Sequence, residues 1–234
     1  MKTLAIITAR GGSTRIPRKN IKHFLGKPII SYPIKAALDS GVFNEVMVST
    51  EDDEIANIAK KNGALVPFLR PEHLAKNEVN IVDVLLDVLE TYRNMGLEYD
   101  YVACIYPTVP FLTPLRLESA HADLIKNSEA YGIMSVSKPA THPYKTFKID
   151  ECNEVSMMFP EYEFIHSQLL PKAYYDCAQF YILNTLKFEK EKRIFSSGMI
   201  PHVIPELESQ DIDYPEDWHM AELKYKLLNQ IEQE

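Results

Sequence analysis

No run of apolar residues in the 234-residue sequence approaches the roughly 18 that a membrane-crossing helix needs. Only Lys2 precedes a first apolar segment, and that segment is too short for a signal-peptide core. A cytoplasmic protein without a membrane partner is therefore expected. Cysteine is scarce as well. Cys104, Cys152 and Cys177 are odd in number and lack C-x-x-C spacing, which argues against a disulfide framework or a zinc site. Cys104 lies in an apolar run and reads as a core filler. Positive charge is in the minority: 25 Lys and Arg face 33 Asp and Glu, for a net charge of -8. The chain thus lacks the basic field that general nucleic-acid binding requires. Two glycine fingerprints are also missing. There is no G-x-x-x-x-G-K-[ST] and no G-x-G-x-x-G.

Against that acidic background, one loop is basic. "TARGGSTRIPRKN", Thr8 to Asn20, brings Arg10, Arg15, Arg18 and Lys19 together around Gly11 and Gly12. Glycines let consecutive N–H groups form an anion-binding nest, and guanidinium groups fork onto phosphate oxygens. The loop therefore reads as a phosphate site, with a solvated basic turn as the competing reading. Arg15 and Arg18 either reach the ligand or only hold the loop.

The remaining pattern alternates strands and helices. Strands are expected at Leu4–Thr8, Val46–Ser49, Ala64–Phe68, Tyr101–Tyr106, Gly132–Val136 and Ala178–Leu183. A helix after Gly26-Lys27 would place Pro28 in its first turn and turn Ile30, Ile34, Ala37 and Leu38 inward. Further helices are expected at Asp52–Asn62, ended by Gly63, at Ile81–Met95, at Pro114–Asn127 with Leu115, Ser119, Ala122 and Ile125 inward, and at Pro215–Ile231. This rhythm predicts an α/β fold with a mostly parallel sheet between two helical layers. Ligands in such folds bind beyond the carboxyl ends of the strands, where the basic loop lies. The rhythm breaks over 138–176, a stretch rich in proline and aromatics. It reads as an insertion into a main domain made of 1–137 and 177–234.

A second constellation is "SQDIDYPEDW", Ser209 to Trp218. Asp211 and Asp213 alternate around Ile212, so an extended chain would turn both carboxylates to one side. Such a pair suits a hard cation. The competing reading is a turn in which Asp217 caps the last helix.

"ARGGSTRIPRKNIKHFLGKPII", "VSTEDDEIA", "FLRPEHLA", "YPTVPFLT", "HPYKT" and "DIDYPEDW" together resemble, in order, the CMP-nonulosonate synthetases, the cytidylyltransferases that activate sialic-acid-like sugars. The segment Asp176-Cys177-Ala178-Gln179-Phe180-Tyr181 is similar to the Asp-Ala-Gly-Gln-Phe-Tyr segment of the members that use pseudaminic acid. The resemblance implies a nucleotide-diphospho-sugar transferase (Rossmann-like) fold whose inserted arm makes a homodimer. It implies transfer of CMP from CTP to a nine-carbon keto-sugar acid with release of pyrophosphate. Ala9, Arg10, Gly11, Gly12, Ser13, Lys19, Asn20 and Arg70 would bind the nucleotide, Arg10 and Lys19 acting in catalysis. His142, Lys145, Gln179 and Tyr181 would bind the sugar. Asp211 and Asp213 would hold Mg²⁺, or Mn²⁺ in its place. Another nonulosonate (N-acetylneuraminic or legionaminic acid) or 3-deoxy-octulosonate is the alternative substrate. A non-catalytic nucleotide-binding protein is the alternative of another class.

Overall fold

Along the first strand, Thr3–Thr8 (β1), alternate side chains face opposite layers. Leu4 and Ile6 join one buried cluster, and Ala5 and Ile7 join another. That split, seen here in a computed structural model describing residues 1–231, organises the molecule. Residues 232–234 of the expected main domain lie outside the described residues.

The elements that follow β1 are a short hairpin β2 (His23–Phe24) and β3 (Lys27–Pro28), then α1 (Ser31–Asp39), β4 (Glu45–Ser49) and α2 (Asp53–Lys61). Next come α3 (Ile81–Asn94), β5 (Tyr101–Ile105), α4 (Pro114–Lys126) and β6 (Gly132–Ser137). The chain continues through a hairpin β7 (Phe147–Ile149) and β8 (Val155–Met157) to β9 (Tyr175–Asn184), α5 (Thr185–Glu191), β10 (Met199–Val203) and α6 (Pro215–Ile231). The main sheet has the order β10-β6-β9-β5-β1-β4. All its pairings are parallel except those of β9, which runs antiparallel to β5 and β6.

One face of the sheet is covered by α1, α2 and α4 through Ile34, Ala37, Ile55, Ala59, Leu117 and Leu124. The other is covered by α3 and α5 through Leu85, Val88, Tyr92 and Phe188. Each fully buried aliphatic or aromatic side chain contributes about 1.5–3 kcal/mol. A third cluster packs α6 under the opening loop through Ile16, Phe24, Phe111, Ile212 and Trp218. Cys104 is buried in the sheet, and burial pushes its thiol up to about 12, so it stays an inert filler.

Three expectations about elements need correction. Ala64–Phe68 is not a strand; only Leu65 bridges Met47 beside the edge strand β4. The first helix begins at Ser31 rather than near Pro28, which pairs with His23 in the small hairpin. Pro33 then falls in the first turn, where no intrahelical donor is lost. On this helix Leu38 is exposed. On α4 the inward face is Leu117, Ala120 and Leu124, while Leu115 is 74% exposed and Ser119 and Ala122 also face solvent. Two apolar stripes compete on that helix. The stripe carrying the small Ala120 is the one packed into the cluster with α1.

Capping follows the sequence closely. Asp52 accepts a hydrogen bond from the Ile55 N–H at 3.0 Å, a cap worth about 1 kcal/mol. Gly63 follows the other end of the same helix with φ at 93°. Residues between β6 and β9 leave the main sheet and form the β7–β8 hairpin with three short 3₁₀ turns. Among the described residues no helix is long and apolar enough to cross a membrane.

Candidate active site

The basic loop leaves the carboxyl end of β1 and lines a cavity of about 290 Å³. Arg10, Ser13, Arg15, Lys19, Asn20, Arg70 and Asp213 are on its walls, with Tyr106 and Thr108 from the loop after β5. The sequence stretches that meet here are far apart, and the sheet brings them together at one end.

The loop is held by acids placed at the start of α2. Arg18 sits at φ 55° and turns away from the cavity onto Asp52 and Glu54, with Nη2 2.9 Å from Asp52 Oδ1. This guanidinium pulls the Asp52 carboxyl down to about 2. Arg18 therefore holds the loop. The Gly11 N–H donates to Glu51 Oε1 at 2.7 Å. A Cβ on Gly11 would lie 2.6 Å from Asp52 Oδ2, so any larger residue would have to displace the carboxylate that holds Arg18. The buried Asn20 donates to the Arg10 carbonyl at 2.8 Å and fixes the loop's other side. Ala9 is buried, its N–H donating to the Ser49 carbonyl at 3.0 Å. Gly12 does not line the cavity.

Arg70 is buried to 7% exposure and donates through Nε to Ser49 Oγ at 3.0 Å and through Nη2 to the Ser49 carbonyl at 2.6 Å. Burial lowers its pKa, partly offset by the Glu51 charge. Arg10 donates to Asn77 across the cavity mouth.

Ile212 is fully buried, and this fixes its two neighbours. Asp213 turns to the basic loop, with Arg15 Nη2 at 2.9 Å and Lys19 Nζ at 3.4 Å from Oδ1. Lys19 also donates to the Ile212 carbonyl at 2.6 Å. Asp213 lines both this cavity and an adjoining cleft that contains Asp211, Lys138 and Tyr175. Asp211 lies at an accessible position, yet the protein around its carboxylate raises its pKa, and the Asp213 charge raises it further. Asp217 accepts from the N–H groups of Asp213 and Tyr214 at 3.0 and 2.8 Å and caps α6. The capped turn of the competing reading is therefore present, and the same segment carries the two carboxylates of the other. Among the described residues no group of three or more His, Cys, Asp or Glu is placed to hold a metal ion. Two carboxylates nevertheless suit a Mg²⁺ that takes its other ligands from phosphates and water.

Four expected sugar contacts lie elsewhere in this chain. His142 bonds the Pro171 carbonyl at 2.9 Å, and Lys145 donates to the Tyr162 and Glu163 carbonyls at 2.6 and 3.0 Å. Both brace the arm. Gln179 and Tyr181 are buried in β9 rather than on the cavity wall. Gln179 Nε2 donates to the Glu208 carbonyl at 2.7 Å, and Tyr181 donates to Asp176. The residues the sequence reading missed are Tyr106, Thr108 and Asn77 on the wall, and Glu51 behind the loop. "YPTVPFLT" and "STEDDEIA" held the signal, because each follows a buried strand at the end where ligands bind.

A mostly parallel α/β sheet with a cationic cleft at its carboxyl end has the architecture of a nucleotide-binding protein. Residues 4–157 match the cytidylyltransferase family, and the chain belongs to that family. A pseudaminic acid cytidylyltransferase of Campylobacter jejuni is 37% identical over 227 residues, 97% of each chain. A CMP-N,N'-diacetyllegionaminic acid synthase of Legionella pneumophila is 33% identical over 98% of each chain. Among solved structures, a CMP:2-keto-3-deoxy-manno-octonic acid synthetase complexed with CTP superposes with a TM-score of 0.70. That match covers 98% of this chain and 100% of the other, at 13% identity, and so speaks to fold.

Proposed function

We propose that this chain transfers CMP from CTP to pseudaminic acid, giving CMP-pseudaminic acid and pyrophosphate. The observation that carries the reading is the cleft itself, where Arg10, Lys19 and Arg70 converge in an otherwise acidic protein. The full-length likeness to a pseudaminic acid cytidylyltransferase supports the choice of sugar.

The sugar's anomeric hydroxyl attacks the α-phosphorus, and the bond to the β-phosphate oxygen breaks. Such displacement depends on positioning and charge stabilisation. Arg10 and Lys19 bind the triphosphate and stabilise the departing pyrophosphate. Ser13 and Asn20 shape the loop around the nucleotide, and Arg70, fixed by Ser49, sets the charge of the inner wall. Asp211 and Asp213 would hold the divalent cation that family membership suggests. When bound, that cation neutralises phosphate charge and polarises the α-phosphate. Gln179 and Tyr181 support the sugar pocket from behind, and His142 and Lys145 set the shape of the arm. The arm makes an isologous homodimer and brings its tip near the partner's cleft.

The test is the product. CTP and Mg²⁺ are offered with pseudaminic, legionaminic, N-acetylneuraminic and 3-deoxy-octulosonic acids, and products are read by mass spectrometry. CMP-pseudaminic acid should dominate. Dominance of CMP-legionaminic acid would reassign the sugar, and absence of every CMP-sugar would reject the transfer reaction. In the active protein, Arg10→Ala and Lys19→Ala should each lower turnover about tenfold or more, the loss of a charge-assisted contact. Unchanged turnover in both would remove the phosphate assignment.

A further inference from the structure

The four cations of the basic loop are held in different ways. Arg18 is turned away onto Asp52 and Glu54, and Arg10 bonds the neutral Asn77. Arg15 and Lys19 share one carboxylate oxygen, Asp213 Oδ1, at 2.9 and 3.4 Å. That oxygen belongs to one of the two acids suited to a divalent cation. A dication and both monocations cannot all keep it, because like charges would then stand side by side. One of the two monocations has to yield.

Lys19 is the anchored one. Its side chain is 20% exposed, and Nζ also donates to the Ile212 carbonyl at 2.6 Å. Arg15 is 50% exposed in its side chain and lies over the Tyr214 ring, 5.0 Å from the centroid. Among the described residues, Asp213 is its only ion-pair partner. The backbone beneath the pair is fixed on both sides. Ile16, next to Arg15, and Ile212, next to Asp213, are buried in one cluster with Phe24 and Trp218. The Asp213 N–H is in turn held by Asp217. What is left free to swing is the long arginine side chain. Arg15 lines the same cavity as Arg10, Ser13 and Lys19, so its guanidinium can pass from carboxylate to phosphate without refolding of the loop.

We propose that Arg15 is a positioning residue that works as a movable counter-ion: it holds Asp213 until a divalent cation takes that carboxylate, and it then turns to the triphosphate. Arginine suits both stations, because its fork pairs with phosphate as well as with carboxylate. The inference rests on the nucleotide reading above and adds a coupling to it. Arg15 opposes the metal while it sits on Asp213, and Asp213 opposes the nucleotide while it keeps Arg15. Each ligand removes what opposes the other, so the two are taken up together.

The test is binding to the full chain without any sugar, at fixed ionic strength. Mn²⁺ alone is titrated by electron paramagnetic resonance, and CTP alone, with chelator present, by equilibrium dialysis. Arg15→Gln should bind Mn²⁺ about threefold to fivefold more tightly than wild type, the scale of an exposed ion pair released. It should bind CTP about fivefold more weakly, having lost a cation that reaches phosphate. Loss of a residue that only orders the loop would weaken both ligands, and that result overturns the proposal. Asp213→Asn separates the pair from a general effect of charge. If Arg15 has to leave Asp213 to reach phosphate, Arg15→Gln should weaken CTP binding about threefold more in the Asp213→Asn background than in wild type. Equal losses in the two backgrounds overturn the proposal, as does an unmoved Mn²⁺ affinity. A wild type that binds neither ligand alone overturns it too. A wild type that binds both in the expected pattern yet makes no CMP-sugar rejects the transfer reaction and leaves the counter-ion role standing.

Discussion

The main sheet and the arm are built from similar apolar residues and bury them to opposite degrees. In β1, Leu4, Ala5, Ile6 and Ile7 are all fully buried, because helices cover both faces. In the arm, Ile149 is 68% exposed, Phe164 89% and Leu169 74%. The arm does have an aromatic knot of its own. Tyr144 stacks on Tyr162 with centroids 4.2 Å apart and meets Phe159 edge-on at 5.2 Å. That knot fixes its local shape but leaves most apolar side chains uncovered. The lesson is that one chain holds two kinds of apolar surface: one that makes the fold and one that the fold leaves exposed.

The comparison breaks most visibly by truncating one phenylalanine in each region. Phe180→Ala empties a fully buried site between β5 and β6 and should cost about 3–5 kcal/mol. Phe164→Ala removes an exposed ring and should cost less than about 0.5 kcal/mol in dilute protein. Urea unfolding of the two variants gives both numbers. A loss at Phe164 as large as at Phe180, in protein dilute enough to be monomeric, would mean the arm is part of the core.

The same contrast explains what was legible in the sequence. Leu4–Thr8 could be read because a strand buried on both faces is a continuous apolar run. The basic loop could be read because four cations stand out in an acidic chain. The Asp211-Ile212-Asp213 alternation could be read because the middle residue is core. Ala64 to Phe68 misled because an apolar run beside an edge strand can pair through a single bridge. On α4, Leu115 and Leu117 offered two stripes, and only tertiary packing chooses between them. Met199–Val203 escaped notice because Pro201 argues against a strand except at a sheet edge, which is where β10 lies. Tyr106 was hidden in a motif whose local pattern looks like a turn.

The contrast sharpens further through the arm's exposed side chains. If they are covered by a second copy, light scattering at micromolar concentration should give the mass of two chains. Met158→Glu together with Phe159→Glu should weaken that dimer by roughly 2 kcal/mol or more, the scale of a central apolar contact. Activity should fall with the dimer if the arm's tip completes the partner's cleft. Dissociation with full activity would leave the arm an assembly device only. A mass of one chain for the unaltered protein would reject the dimer.

The smallest expected effect concerns the charged seam that ties the basic loop to α2, where neither kind of apolar surface is involved. The Arg18 guanidinium, with help from the Ile55 N–H, holds the Asp52 carboxyl at about 2, below its ordinary value near 4. A carboxyl lowered on folding stabilises the protein fully above its unfolded pKa. That contribution fades as pH falls from about 4 toward 2, where the folded carboxyl takes up its proton. Arg18 is 39% exposed in its side chain, so solvent screens the pair and the contribution is about 1 kcal/mol rather than the full shift. Asp52→Asn keeps a cap acceptor for Ile55 but removes the charge, so it isolates the ion pair from the cap. Stability measured by urea from pH 6 to pH 2.5 should fall less steeply for Asp52→Asn than for the unaltered chain, the two curves converging at the acid end. Parallel curves would show that Arg18 orders the loop through shape alone. Because Asp52 carries no core side chain, unfolding of the sheet by Phe180→Ala and loosening of the loop by Asp52→Asn should add independently, and a double variant checks that separation.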